Sequence, residues 1–475
     1  MKKVELLAPA GDLEKLKAAI IYGADAVYLG GKEYGLRAFA GNFTLAEIRE
    51  GVEFAHRHQA KVYVTVNIFP HNNDLVGLGE YLRELENSKV DGVIFADVGV
   101  WQISQEINSN LNLHLSTQAN TTNWASVQFW ESQGVERIVL ARELSWEEIK
   151  EIRQKVQLEL EVFVHGAMCI SYSGRCLLSN YMVGRDANQG ECAQPCRWNY
   201  ALVEQKRPGQ YYPIFEDERG SYIFNSQDLC LIRQLPKLIA AGVNSLKIEG
   251  RMKSVHYVAT VVQAYRKAID AYYADPQGYI FDERWYEEIL KVSHRDYTTG
   301  FLFGKPQPEA HNYENSDYLR YYDFVGLVQA YDPVSELATV EQRNNFRVGD
   351  EVEIVGPQTE LFTQRLEMMT DEEGQQIEVA PHAQQIVHIK VGKPVRPWDL
   401  VRRGKENKLY LRIPKKKIAT LIRIMEGYDN VGLVTTINAQ EGLVEIQLTP
   451  DTEEIVRNIL RELPFVEQME YRHKK

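Results

Sequence analysis

Residues 4–31 read VELLAPAGDLEKLKAAIIYGADAVYLGG, and this stretch contains one full repeat of the pattern that predicts the fold. A short apolar run, VELLAP, leads through a polar turn into a longer segment with helical periodicity. A second apolar run, DAVYLGG, follows. Asp12 stands directly before the helical segment, where an aspartate is a favoured N-cap. Apolar strand, helix and apolar strand in this order are typical of a parallel β-α-β unit.

The same rhythm continues to about residue 250. Eight apolar, β-branched runs are spaced along it: 4–9, 25–31, 61–69, 91–97, 111–117, 137–143, 160–166 and 244–250. Thr44 and Ser145 precede two of the helical segments between them as N-caps. Eight such units in roughly 300 residues predict an α/β fold, a TIM-type (β/α)8-like barrel. A doubly wound sheet is the alternative, although no GxGxxG follows a strand and no Walker loop is present.

The rest of the chain predicts an insertion and two further domains. We expect the barrel over residues 1–310, with a cysteine-bearing insertion after the seventh strand at 167–243. Insertions of this length at the end of a barrel strand usually carry function. Short alternating strands with Gly, Asp and Pro turns are typical of a small β-barrel or sandwich, and we expect a small β-barrel domain at 322–405. The order helix, strand, strand, helix predicts a small α/β module at 410–475.

Composition limits the class of protein. The chain has 475 residues and a net charge of −12, with 44% hydrophobic and 25% charged residues. These fractions exclude global disorder and collagen-like repeats. No apolar run approaches the roughly 20 residues needed to cross a bilayer. The N-terminus begins with two lysines, as signal peptides do, but Glu5, Pro9 and Asp12 interrupt any apolar core. We therefore expect a cytoplasmic protein with no membrane partner.

An acidic chain does not attract nucleic acid over long distances, because phosphates require basic partners. One segment departs from this average. Residues 402–417, RRGKENKLYLRIPKKK, hold eight Lys and Arg against one Glu. Further cations and aromatic side chains accompany it: Lys390, Lys393, Arg396, Trp398 and Tyr410. Aromatic rings among cations suit single-stranded RNA, whereas a solvated protein face explains a charge run equally well.

Four of the five cysteines fall in the insertion: Cys169, Cys176, Cys192 and Cys196. Their spacing, C-x6-C-x15-C-x3-C, is wide for structural zinc, which favours close pairs. A four-iron four-sulfur cluster tolerates wider loops, because each thiolate binds a different iron. The pattern favours such a cluster over zinc and over scattered core thiols. Cys230 is the spare cysteine, either a core thiol or the fourth ligand in place of Cys196.

Polar residues recur directly after the predicted strands. In a barrel these strand ends form the mouth that carries the active site. Because loops are polar in general, the recurrence rather than any single residue carries this prediction. The set is Glu33, Arg37, Asn67, His71, Asp97, Gln118, Asn120, Arg142, His165, Glu249 and Arg251.

A cysteine protease is an alternative, because His165 and Cys169 are close in the sequence and a Cys–His pair is the minimal activated thiol. One nucleophile does not explain four cysteines, however. The chain also has no HExxH and no GxSxG motif.

Two blocks, EVFVHGAMC at 161–169 and GRCLLS at 174–179, resemble the signature of the collagenase-like peptidases, peptidase family U32. Four other blocks are similar to recurrent segments of that family: LLAPAGDLEKLKAAIIYGADAVYLGG, NSQDLCLI, SLKIEGRMKS and SHRDYTTGF. The resemblance covers about residues 1 to 405 and leaves the last 65 residues unmatched.

Within the family, GECAQPC at 190–196 is most similar to the branch that modifies tRNA. This resemblance implies hydroxylation of the wobble uridine to 5-hydroxyuridine, with prephenate as the hydroxyl donor. It also implies a 4Fe-4S cluster on the four cysteines of the insertion. The implied partners are tRNA, a small dicarboxylate and a partner protein of the same family. Alternatives within the family are hydroxylation of 23S rRNA or of a quinone precursor, and peptidase activity.

The mouth residues suit this chemistry. Arg37, Arg142 and Arg251 are candidates to bind a dicarboxylate, because guanidinium groups bind carboxylates bidentately. His165 or Glu249 would serve in proton transfer. Salt bridges that cap strand ends explain any one of these residues equally well.

Overall fold

The computed structural model describes residues 3–32, 34, 42–168, 179, 227–304, 320–404, 407–428, 431–448, 452–466 and 468–471. The chain divides into two compact units, Met1–Leu319 and Arg320–Lys475.

Strands of the first unit form a closed barrel. Within the described residues they are β1 (Glu5–Pro9), β2 (Ala26–Gly30), β3 (Lys61–Val66), β4 (Gly92–Phe95), β5 (Leu113–Leu115), β6 (Arg137–Val139), β7 (Glu159–Ala167), β8 (Asp228–Cys230), β9 (Ser245–Ile248) and β10 (Tyr297–Thr298). β1 to β7 pair in chain order as parallel neighbours, and β9 closes the ring by pairing with β7 and β1. The eight predicted strands and the TIM-type barrel are therefore confirmed.

Helices separate the barrel strands. They are α1 (Leu13–Ile21), α2 (Leu45–Arg57), α3 (Leu78–Asn87), α4 (Val98–Glu106), α5 (Trp124–Ser132), α6 (Trp146–Lys155), α7 (Leu235–Ala240), α8 (Val255–Ala274) and α9 (Glu283–Leu290). Asp12, Thr44 and Ser145 cap α1, α2 and α6 as predicted, each accepting from a backbone N–H of the first turn. No helix in the described part of the chain combines the length and apolar character that a membrane span requires.

The insertion adds a short strand to the rim of the barrel. β8 runs antiparallel to the end of β7, with His165 opposite Cys230 and Ala167 opposite Asp228. β10 pairs with β8 in turn. Since β7 ends at Ala167, the cysteine-bearing segment leaves the barrel at the carboxyl end of its strands.

The second unit begins with an antiparallel sheet. Its strands are β11 (Tyr322–Asp332), β12 (Leu337–Gln342), β13 (Phe346–Arg347), β14 (Glu351–Val355), β15 (Phe362–Arg365), β16 (Met369–Thr370), β17 (Val379–Ala380), β18 (Ile386–Lys390) and β19 (Leu400–Gly404). Seven of them form one sheet in the order β15-β14-β19-β11-β12-β18-β16, and β13 pairs with β17. Val325, Phe346 and Ile354 are among the residues of its apolar core.

A second sheet with two helices follows. Its elements are β20 (Asn407–Arg412), α10 (Ile418–Glu426), β21 (Leu433–Asn438), β22 (Leu443–Leu448), α11 (Glu453–Arg461) and β23 (Gln468–Tyr471). The sheet order is β21-β22-β20-β23. The predicted order helix, strand, strand, helix is present, and β20 precedes it. Leu421 of α10 and Val456 of α11 pack with Ile446 of β22 in a separate core.

Candidate active site

Glu249 follows the last barrel strand and is 7% exposed. The Tyr28 hydroxyl lies 2.9 Å from Glu249 Oε2 and 3.0 Å from the main-chain oxygen of Ile248. Tyr28 belongs to β2, so this contact joins β9 to β2 across the intervening strand β1. A buried carboxylate with a phenolic donor therefore lies at the carboxyl ends of the barrel strands, the end at which TIM-barrel enzymes carry their active sites.

Arg251 lies two residues further on and is 4% exposed. Its Nη2 donates to Asn42 Oδ1 at 2.8 Å, and its Nη1 donates to Thr65 Oγ1 at 3.3 Å. The guanidinium passes over Gly30 at the end of β2. A Cβ at Gly30 would come within 2.4 Å of Arg251 Nη2, so glycine is what leaves room for this side chain.

Beneath the mouth, the barrel interior holds buried charges. Lys247 Nζ donates to Glu161 Oε1 at 2.7 Å, and the other oxygen of Glu161 accepts from Arg137 at 3.1 Å. Arg137 also bonds both Glu5 and Glu159. Burial by itself raises the pKa of Glu161, but the neighbouring Lys247 and Arg137 outweigh it and lower that pKa to about 2. Glu161 is therefore ionised at neutral pH.

Lys247 joins this ionic network to the mouth. Its ammonium lies 4.6 Å from the ring centre of Tyr28 and 5.5 Å from that of Phe163. Such cation–π contacts are attractive and orient the rings. Tyr28 therefore contacts both Lys247, through its ring, and Glu249, through its hydroxyl.

Arg142 lies in a different sector of the rim. Its guanidinium stacks on the ring of Phe163, with 4.0 Å between Cζ and the ring centre. The described contacts of Arg251, by contrast, are with Asn42, which precedes α2, and with the ends of β2 and β3. The structure thus brings Glu249 and Arg251 into one neighbourhood and places Arg142 beside β7.

His165 is enclosed by aromatic side chains and is 1% exposed. Tyr265 Oη lies 3.4 Å from its Nδ1, and Tyr297 Oη lies 3.4 Å from its Nε2. The ring of Tyr257 is a third neighbour. Tyr257 and Tyr265 belong to α8, so the imidazole faces that helix. Burial lowers the pKa of His165 to about 3, and nearby His294 and Lys253 add to the effect.

The main chains of His165 and Glu249 nevertheless touch. The Glu249 N–H donates to the His165 carbonyl at 2.8 Å. Gly166 has a φ of +103°, and a Cβ there would come within 2.6 Å of the Glu249 oxygen. Glycine at this position therefore permits the close approach of the ends of β7 and β9.

Two side-chain amides of the predicted mouth are also in contact. Asn67 Nδ2 donates to Gln118 Oε1 at 2.5 Å. Asn120 adopts a left-handed conformation with a φ of +53°. Asp97 has a structural contact, because its side chain accepts from the Gly99 N–H at the start of α4.

Cys230 is buried, and its Sγ lies 4.0 Å from Tyr265 Oη. Burial raises the pKa of this thiol to about 11, so it is protonated at neutral pH. The other candidate ligands, Cys169, Cys176, Cys192 and Cys196, lie outside the described residues, as do Glu33 and Arg37. Within the described ranges, no group of three or more His, Cys, Asp or Glu side chains is arranged to hold a metal ion.

The basic segment of the second unit is partly neutralised. Arg402 is fully buried and bonds Glu353 at 2.8 Å. Arg403 bonds Asp350 at 2.5 Å. These two cations therefore pair with carboxylates of their own sheet. Lys415 and Lys416 are exposed.

Sequence reasoning missed residues on which the mouth depends. Tyr28 and Gly30 alternate along β2 and read as ordinary strand residues. Glu161 and Lys247 could have been found, because charged residues within otherwise apolar strands indicate a buried ion pair. Thr65 gave none.

Comparison with known proteins identifies related chains. The family descriptions Peptidase family U32 and Peptidase family U32 C-terminal domain match residues 11–312 and 320–402, and a domain of unknown function, DUF4911, matches residues 411–466. A tRNA hydroxylation protein of Bacillus subtilis is 50% identical over 85% of this chain and 96% of its own length. One of Escherichia coli is 40% identical over 80% of this chain and 92% of its own. A protein of Porphyromonas gingivalis named collagenase is 32% identical over 84% and 97%.

Proposed function

Since this chain belongs to peptidase family U32 and resembles two tRNA hydroxylation proteins over most of their length, we propose that it hydroxylates tRNA. The similarity to the Bacillus subtilis protein carries this proposal, because half of the residues are identical along nearly the whole relative. The finer part of the proposal is that C5 of the wobble uridine receives the hydroxyl group and that prephenate supplies it.

The reaction would take place at the mouth of the barrel, where Arg251 and Glu249 lie. Arg251 would bind a carboxylate of the donor, since a guanidinium offers two parallel N–H groups to a carboxylate. Glu249 would accept or return a proton at its Oε2, with the Tyr28 hydroxyl holding that oxygen in place. Both side chains are almost fully buried, and electrostatic interactions are stronger where water is excluded.

A four-iron four-sulfur cluster on Cys169, Cys176, Cys192 and Cys196 belongs to the same proposal. Its support is the spacing of the cysteines and the exit of their segment at the carboxyl end of β7. Cys196 is assigned as the fourth ligand because Cys230 lies on β8, buried with its Sγ 4.0 Å from Tyr265 Oη on α8. Such a cluster would supply electron-transfer or Lewis-acid chemistry.

Peptidase activity is the second candidate, suggested by the family name and by the Porphyromonas gingivalis relative. A cysteine peptidase needs a thiol with a lowered pKa beside an imidazole that accepts its proton. Among the described residues, His165 and Cys230 face each other across β7 and β8. The pKa of that thiol is raised to about 11 and that of the imidazole is lowered to about 3, which opposes formation of the ion pair.

The test is mass spectrometry of tRNA nucleosides from a bacterial strain that lacks its own tRNA hydroxylation proteins and expresses this chain. We expect 5-hydroxyuridine derivatives to reappear with the wild type and to fall by about 10²-fold or more with Glu249→Gln. Glu287→Gln, on the exposed face of α9, is the matched control and should behave as wild type. Nucleosides identical to those of the empty strain would reject the proposal.

Anaerobically purified protein separates the two candidate functions. A brown protein that absorbs near ~400 nm and loses this absorbance on Cys192→Ala supports the cluster. A colourless protein that cleaves gelatin supports the peptidase.

A further inference from the structure

The last six elements of the chain follow a known order. They run strand, helix, strand, strand, helix, strand, from β20 through α10, β21, β22 and α11 to β23. All neighbours in the sheet pair antiparallel, and the order β23-β20-β22-β21 places the first and third strands at the centre. This is the β-α-β-β-α-β arrangement of ferredoxin-like modules.

Both helices of this module pack on the same face of its sheet. Leu409 and Leu411 of β20 are fully buried and share one apolar core with α10 and α11. Side chains alternate across a strand, so Tyr410 and Arg412 lie on the opposite face. Tyr410 is partly exposed and Arg412 is exposed. We call this second face, which neither α10 nor α11 covers, the open face.

Tyr410 lies on a central strand of the open face and is anchored there. It stands directly opposite Glu445 of β22, and its hydroxyl donates to Glu445 Oε2 at 2.6 Å. Glu445 is 8% exposed, so this carboxylate is directed to the phenol rather than to solvent. A ring that is already held in place loses little conformational freedom when a flat ligand stacks on it.

Cations accompany the ring. Arg412 lies two residues further along the same face, and the exposed Lys415 and Lys416 follow just after the strand ends. None of these three side chains forms an ion pair with a described residue, in contrast to Arg402 and Arg403 of the preceding sheet. Their charge is therefore available to an anionic partner.

We infer that the open face binds single-stranded RNA, with a base stacked on Tyr410 and phosphates paired with Arg412, Lys415 and Lys416. The RNA recognition motif uses aromatic residues of a four-stranded sheet in this way. Ferredoxin-like modules as a class serve many functions, so the ring and the cations carry the inference rather than the topology. The inference rests on the proposed function, because it gives the second unit a contact with the RNA that the barrel would modify.

Stacking on an aromatic ring sets the form of RNA that is bound. Every base has a flat face, so this contact tolerates different sequences. In a duplex the bases are stacked on one another and are not accessible to the ring. The open face should therefore distinguish single-stranded from double-stranded RNA.

The test measures the affinity of the purified full-length protein for an RNA of about 12 nucleotides that does not pair with itself, alone and annealed to its complement. Tyr410→Leu should weaken binding of the single strand about tenfold and leave binding of the duplex unchanged. Tyr410→Phe retains the ring and should retain most of the affinity. Tyr428→Leu, at an exposed tyrosine after α10, is the matched control and should bind as wild type.

The salt dependence of binding tests the cations separately. Arg412→Ala should reduce the slope of log affinity against log salt by about 1, because one phosphate contact is lost. Arg423→Ala removes an exposed cation from α10, on the other side of the sheet, and should leave the slope unchanged.

Unchanged affinity of Tyr410→Leu for the single strand, or equal losses in Tyr410→Leu and Tyr410→Phe, would overturn the inference. A changed oligomeric state with unchanged RNA affinity would also overturn it and would make the open face a protein contact. If Tyr410→Leu does not fold, the slope of Arg412→Ala decides. Failure of wild type to restore hydroxylation of tRNA rejects the proposed function, whereas restored hydroxylation with unchanged RNA affinity in Tyr410→Leu rejects only the role of the open face.

Discussion

The guanidinium of Arg251 occupies space that exists only because residue 30 is a glycine. A Cβ on Gly30 would lie 2.4 Å from Arg251 Nη2 and 3.0 Å from its Cζ. Gly30 does not have a positive φ, so alanine fits the backbone and the conflict concerns the side chain of Arg251 alone. The position of the arginine is thus set by β2, on the far side of β1 from the strand that precedes Arg251.

Gly30→Ala should therefore reduce kcat/KM for hydroxylation by about 10²-fold, because displacing a substrate-binding group by about 1 Å has effects of this size. The loss should include a raised KM for the carboxylate donor. The measurement is steady-state hydroxylation of tRNA with varied donor. Gly392→Ala, where a Cβ would meet no atom closer than 3.7 Å, is the control. An unchanged KM for the donor would contradict the role given to Arg251.

Glu161→Gln should destabilise the barrel by about 3 kcal/mol, because it leaves the buried ammonium of Lys247 without its carboxylate. Glu50→Gln, which removes a partner of Lys17 at the surface, should cost less than about 1 kcal/mol. The pKa of Glu161 is lowered from 4.5 to about 2 in the folded protein. Its contribution is therefore present above pH 4.5 and is lost as pH falls towards 2. Denaturant unfolding should show the difference between wild type and variant shrinking over that range.

His165→Gln should reduce the pH dependence of stability. With its pKa lowered from 6.5 to about 3 in the folded state, His165 stays neutral when the protein is folded and becomes protonated on unfolding below pH 6.5. The contribution of His165 to the free energy of unfolding is therefore fully present above pH 6.5 and is lost as pH falls towards 3. About 2 kcal/mol of it is lost at pH 5. Between pH 7 and pH 5, the free energy of unfolding of the variant should therefore fall by about 2 kcal/mol less than that of the wild type. His58→Gln, an exposed residue at the end of α2, is the comparison.

Cys230→Ser should keep the ~400 nm absorbance of the anaerobic protein, because its Sγ is buried against the hydroxyl of Tyr265. Cys196→Ser should reduce it. Iron and sulfide analysis of the two variants provides a second measurement. Loss of absorbance in Cys230→Ser with retention in Cys196→Ser would exchange the two assignments.

The double variant Lys415→Ala, Lys416→Ala should weaken tRNA binding and reduce the slope of log affinity against log salt by about 1 to 2. These two cations are exposed, whereas Arg403 bonds Asp350 within its own sheet. Arg403→Ala should consequently lower the melting temperature without changing the slope. A slope that falls with Arg403→Ala but not with the double variant would show that the exposed lysines do not contact phosphate.

The strands were predictable because a parallel barrel buries both faces of each strand, which leaves near-continuous apolar runs such as VYLG in β2. The direction of the His165 side chain was not predictable. The pairing of β7 with β9 shifts its register between Phe163 and His165, and this shift interrupts the alternation of side chains along β7. Ion pairs between residues far apart in the sequence were also not predictable. Arg402 appears in the sequence within a basic run, and only the sheet places Glu353 beside it.

The ionic network of the barrel interior unites strands from both ends of the first unit. Glu5 comes from β1, Arg137 from β6, and Glu161 from β7, whose partner Lys247 lies on the closing strand. Only the pair of Glu5 with Arg137 reaches β1, whereas the pairs of Arg137 with Glu159 and Glu161 and of Lys247 with Glu161 lie among β6, β7 and β9. Closure of the ring at β1 therefore completes the network, because it supplies the carboxylate of Glu5 to an Arg137 guanidinium that is otherwise paired within the later strands.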